Sequence, residues 1–66
     1  MRVSVNGTPH EVAPGTTILQ FLQERGVDVR AVAVAHNEAI VHRSSLGEVQ
    51  LADGDVLEII KVVAGG

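Results

Sequence analysis

Thr17-Ile18-Leu19-Gln20-Phe21-Leu22-Gln23-Glu24-Arg25-Gly26 is the one stretch of this chain with helical periodicity, and it stands between segments that read as strands. Ile18, Leu19, Phe21 and Leu22 share one arc, with Gln20, Gln23 and Glu24 opposite. Thr17 and Gln20 have capping-box spacing: the hydroxyl accepts from the Gln20 N–H while the Gln20 side chain reaches back. Gly26 suits the residue after a helix end, and the Arg25 charge suits the C-terminal dipole. A helix this short does not hold by itself, so it is expected to lie across a sheet.

Upstream, Met1, Val3 and Val5 alternate with Arg2 and Ser4. Asn6-Gly7 then predicts a type I′ hairpin turn, because both residues accept positive φ. A returning strand follows over Thr8–Val12, with Pro9 at its start or on an edge, and Ala13-Pro14-Gly15 ends it. Downstream, the apolar run Ala31–Ala35 predicts a strand central in the sheet or covered on both faces. Asn37-Glu38 reads as a turn and Ala39–Arg43 as the returning strand. Residues 44–52 read as irregular, with a short helical turn and a short strand at Glu48–Leu51. Asp53-Gly54-Asp55 is a tight turn and Val56–Val63 the last strand, after which Ala64-Gly65-Gly66 is expected to be mobile. Twelve valines and four isoleucines agree with a sheet-rich core. Periodicity supports an α+β class with one helix on a sheet. Placing the last strand beside the first makes it a β-grasp arrangement, a mixed four- to five-stranded sheet on one main helix.

Sixty-six residues, 45% of them hydrophobic, make a single domain over 1–66 with a small core. Zero cysteines exclude disulfides, iron–sulfur clusters, cysteine-ligated zinc and a thiol nucleophile. A net charge of −3 and a single aromatic, Phe21, argue against a nucleic-acid partner. No apolar run approaches the ~20 residues of a membrane span, and the start carries no signal-peptide core, so a cytoplasmic location is expected. Residues 1–33 hold three positive and three negative groups, residues 34–66 two and five. The negative excess thus lies in the second half, which suits a basic partner.

Catalytic constellations are poor, and the chain reads as no enzyme. His10, His36 and His42 lack the spacing of a helical metal pair and are expected at strand ends or on the surface. His42 beside Ser44-Ser45 makes no triad, because adjacency is not geometry and so small a chain has no room for a deep pocket. Asp53 and Asp55 around Gly54 read as a turn before they read as a cation site. The end of the chain stands out. Two terminal glycines occur by chance in roughly one chain in 200 at average usage. They fit a frayed end, or a tail without Cβ atoms that threads a narrow channel and offers its carboxylate to a partner's active site. Adenylation gives that carboxylate a leaving group, after which a sulfur nucleophile makes a thiocarboxylate without any cysteine in the carrier.

Val5-Asn6-Gly7, Pro14-Gly15-Thr16-Thr17-Ile18 with Leu22, Ala33-Val34-Ala35 with Asn37, Val41 with Arg43, Leu51-Ala52-Asp53-Gly54-Asp55 and Val63-Ala64-Gly65-Gly66 together resemble the ThiS family of sulfur carriers. The resemblance covers the whole chain; the last turn and the glycine pair are shared with the related MoaD proteins. His36 stands where an apolar residue is usual, His42 where proline is common, and Leu46 where an aromatic is frequent. The resemblance implies a ubiquitin-like β-grasp and a role in thiamine biosynthesis. It further implies that a ThiF-type adenylyltransferase activates Gly66 with MgATP, used by that partner and not bound here. Sulfur from a cysteine desulfurase would then form the thiocarboxylate, and a ThiG-type thiazole synthase would receive it. Gly65 and Gly66 are the residues expected to enter the partner's active site.

In Val56–Val63, Leu57 and Ile59 oppose Val56, Ile60 and Val62, and one helix covers only one face. An exposed apolar patch is therefore expected, with Asp53, Asp55, Leu57, Glu58 and Ile59 as docking candidates. A strand buried on both sides fits the same pattern. A MoaD-like sulfur carrier for molybdopterin or another pathway and a non-catalytic β-grasp interaction module remain the alternative functions.

Overall fold

The computed structural model describes residues 1–62. Within them run β1 (Arg2–Val5), β2 (Thr8–Glu11), α1 (Ile18–Glu24), β3 (Val32–His36), β4 (Ala39–Val41) and β5 (Val56–Lys61). Two 3-10 turns, Val29–Ala31 and Arg43–Ser45, flank the β3–β4 hairpin. Both hairpin turns have the positive φ that matches strand twist: 50° and 83° at Asn6 and Gly7, 49° and 72° at Asn37 and Glu38. The strands form one sheet in the order β2-β1-β5-β3-β4. Two antiparallel hairpins lie outside, and β5 enters between them, parallel to β1 and antiparallel to β3. The mixed sheet expected from the sequence is present.

Helix α1 begins as its capping box requires: Thr17 Oγ1 accepts from the Gln20 N–H at 3.1 Å, and Gln20 Oε1 accepts from the Thr17 N–H at 2.9 Å. The N–H groups of Ile18 and Leu19, unpaired by the helix itself, donate to the carbonyls of Val49 and Leu46 at 3.0 Å each. The irregular segment after β4 is thereby tied to the helix start. The strand expected at Glu48–Leu51 is only an isolated bridge between Thr17 and Gln50. Arg25 takes the C-cap position, and its guanidinium lies 5.0 Å from the Phe21 ring centroid in a cation–π contact. Gly26 follows with φ 72°.

Strand alternation and register sort the side chains onto two faces. Val3, Val5, Val34 and Leu57 meet Ile18, Phe21 and Leu22 of the helix, and Leu46 and Leu51 close the core from the irregular segment. The other face carries Arg2, Ser4, Pro9, Glu11, Ala33, Ala35, Ile40, Val56, Glu58 and Ile60, with no layer over it among the described residues. The run Ala31–Ala35 is therefore not covered on both faces: Val34 is its one buried member, and Ala33 and Ala35 lie half-buried on the open side.

Candidate functional site

Strand β5 leads to the glycine pair, so the groups that hold it define what it presents. Two turn asparagines grip it from either side. Asn6 Oδ1 accepts from the Ile59 N–H at 2.8 Å while its Nδ2 donates to the Ile59 carbonyl at 3.2 Å. Asn37 Oδ1 accepts from the Val56 N–H at 2.8 Å, and the Asn37 N–H donates to the Val56 carbonyl at 2.8 Å. Beyond the strand's last assigned residue, the Val62 N–H still donates to the Ala31 carbonyl at 2.8 Å. Backbone order imposed by the sheet thus reaches the edge of the described residues. Val63, Ala64, Gly65 and Gly66 lie outside them, and with them the expectations of a mobile tail and a threading glycine pair.

Asp55 sits at the base of β5, only 9% exposed. One oxygen takes His36 Nε2 at 2.7 Å and the Ala52 N–H at 2.9 Å, and the other takes Asn37 Nδ2 at 3.1 Å. Burial pushes this carboxyl up, but the hydrogen bonds from His36, the Ala52 N–H and Asn37 outweigh it and hold Asp55 below the ordinary carboxylate value. His36 lies at a strand end, as expected of it. Asp53 is exposed, and its Oδ1 accepts the Arg2 N–H at 2.8 Å, joining the turn to the start of β1.

The docking candidates need correction. Leu57 is fully buried beneath the helix, Asp55 is consumed by its polar cluster, and Ile59 is half-buried on the helix side of the sheet. Alternation decides this: Leu57 and Ile59 share the core face with Val5 and Val34, so the opposite set is outward. Glu58 and Asp53 remain exposed. The apolar patch itself exists but is made of other residues: Ile40 is 65% exposed, Ile60 53%, Val62 52% and Val56 44%. They border Ala33 and Ala35, with Glu58 among them.

Five strands around one capped helix, with the last strand inserted parallel to the first, define a β-grasp protein of the ubiquitin-like kind. A ubiquitin-like protein from the archaeon Caldiarchaeum subterraneum shares the fold, with a TM-score of 0.55 at 19% identity over 98% of this chain and 100% of its own. The thiamine biosynthesis protein (ThiS) of Geobacter metallireducens, in its crystal structure, superimposes with a TM-score of 0.87 at 28% identity, covering 100% of both chains. The chain belongs to the ThiS family, whose model matches residues 3–66. The sulfur carrier protein ThiS of Thermus thermophilus is 36% identical over 97% of this chain and 98% of its own length. A thiazole synthase of Paramagnetospirillum magneticum is 41% identical over the whole chain, which spans 20% of that relative's length. Among the described residues no helix is long and apolar enough to cross a membrane.

Proposed function

We propose that this chain is a sulfur carrier of thiamine biosynthesis whose working group is the Gly66 carboxylate. The observation that carries it is the family match, which runs through Gly66. In this reading a ThiF-type adenylyltransferase directs a carboxylate oxygen onto the α-phosphorus of MgATP and releases pyrophosphate. Persulfide sulfur supplied through a cysteine desulfurase then displaces AMP, and a thiol reductant cleaves the resulting acyl disulfide to leave the thiocarboxylate. The carrier turns nothing over; it supplies a main-chain terminus narrow enough for a confined active site, since Gly65 and Gly66 carry no Cβ.

A partner that acts on the tail must also hold the body, and the open face of the sheet suits that task. Ile60 and Val62 offer apolar area at the exit of β5, Ile40 and Val56 extend it along the same face, and Glu58 and Asp53 supply charge for a basic rim. A ThiG-type thiazole synthase is the proposed recipient of the sulfur; the names of two relatives, each matched over 20% of its length, support that pairing.

Intact-mass measurement after incubation with ATP, sulfide and the activating enzyme tests the assignment. The parent should gain the mass difference between sulfur and oxygen and lose it on hydrolysis. Removing Gly66, or adding one residue after it, should abolish the gain while melting stays unchanged. Gly66→Ala should lower it while binding persists. An extended or truncated chain that is charged as well as the parent refutes the proposal.

A further inference from the structure

Asn6-Gly7 reads only as a turn in the sequence, yet its side chain does more than turn the strand. We propose that Asn6 is a deamidation site gated by β5. Asn-Gly is the pair in which this chemistry is least hindered, because Gly7 brings no Cβ between its own nitrogen and the neighbouring carboxamide. The Gly7 amide nitrogen attacks Asn6 Cγ, a C–N bond forms, and the Cγ–Nδ2 bond breaks with loss of ammonia. Water then opens the succinimide ring at either carbonyl, leaving aspartate or isoaspartate. Only water is consumed, and nothing is oxidised or reduced.

Asn6 is exposed, so water reaches it, but its carboxamide is not free. Oδ1 and Nδ2, the two atoms flanking the carbon under attack, are both engaged by the backbone of Ile59, at 2.8 and 3.2 Å. Reaction requires β5 to let go of Asn6 first. The product restores only half of the grip: a carboxylate oxygen still accepts from the Ile59 N–H, but it has no N–H for the Ile59 carbonyl and sets negative charge against it. The isoaspartate form also lengthens the backbone inside a two-residue turn. Asn37 holds the start of β5 in a similar way but precedes Glu38, whose side chain hinders the same attack. The chain therefore has two brackets on one strand, and one of them is chemically perishable. Deamidation makes the loss of one of the two Asn6–Ile59 bonds permanent, whatever the strand is used for.

The full chain, incubated at mildly alkaline pH both folded and in urea, tests this by peptide-mapping mass spectrometry. In urea, conversion should appear at Asn6 ahead of Asn37. In the folded protein it should be about tenfold slower, since two hydrogen bonds must open first. Asn37→Gly, which tolerates the positive φ and removes the side-chain bond to Val56 together with the one to Asp55, should speed the folded-state reaction at Asn6 under conditions where circular dichroism shows the native fold. Equal rates folded and unfolded, or an Asn37→Gly protein no faster than the parent, would overturn the gate. Hydrogen exchange tests the bracket itself: the Ile59 N–H, whose acceptor is lost, should exchange about tenfold faster in Asn6→Gly, which keeps the turn without the carboxamide. Asn6→Asp keeps an acceptor for that N–H and should stay more protected than Asn6→Gly; exchange as slow as the parent in Asn6→Gly would refute the bracket.

Discussion

Asp55 is a carboxylate enclosed by three donors from two segments of the chain: His36 and Asn37 where β3 meets the hairpin turn, and the Ala52 N–H. Because its folded pKa lies below the ordinary value of 3.8, its contribution to stability is fully present above that value. That contribution is lost as pH falls through the folded value. Thermal melts across an acid series should therefore show the parent weakening as Asp55 is protonated. Asp55→Asn should be less stable at neutral pH by ~1–3 kcal/mol, since donors are left facing an amide, and its acid limb should be flatter. A variant with the parent's neutral stability and acid limb would remove Asp55 from this role. The sequence marks Asp53-Gly54-Asp55 as a turn but gives no sign of this cluster. His36 is nineteen positions away, and only the pairing of His36 with Leu57 brings the two together.

Helix α1 is the most legible element because its signals are local. Thr17, Gln20 and Gly26 mark start and stop within one short stretch, and the apolar arc names Ile18, Leu19, Phe21 and Leu22, all buried except the half-buried Leu19. The segment over residues 43–52 is the least legible. It follows no period, and its carbonyls are fixed by helix N–H groups that lie far off in sequence. Leu46 and Leu51 thus enter the core without a pattern to announce them. Leu22 is fully buried between helix and sheet. Leu22→Ala should cost ~2–5 kcal/mol in chemical denaturation, a large share of what so small a core supplies. A variant as stable as the parent would mean the helix does not close the core.

At the scale of the whole molecule, the sequence separates the residues of β5 into two alternating sets but cannot say which set meets the helix. Leu57 and Val56 are equally plausible as core until the register of β5 against β1 and β3 is known. The structure puts Val56, Glu58, Ile60 and Val62 outward, so the docking test moves to them. Ile60→Lys combined with Glu58→Lys should leave stability within ~0.5 kcal/mol, as exposed substitutions do. Association with the activating enzyme should slow, and its salt dependence should weaken with the loss of the Glu58 charge. Stopped-flow rates at low and high salt decide it: rates equal to the parent's at both would exclude this face from docking.

The central position of β5 also has a consequence for how the molecule comes into being. A ribosome delivers residues in order, and β5 is the last of the described strands to emerge. Until it does, the β1–β2 and β3–β4 hairpins have nothing to join them, and an isolated two-stranded hairpin is marginal in water. Closure must wait for a strand more than fifty residues downstream of β1, and such distant pairings are slow to form. The two hairpins therefore stay unfinished, with their inner edges unpaired, until the residues through Lys61 are free to pair, and the sheet completes in one late step.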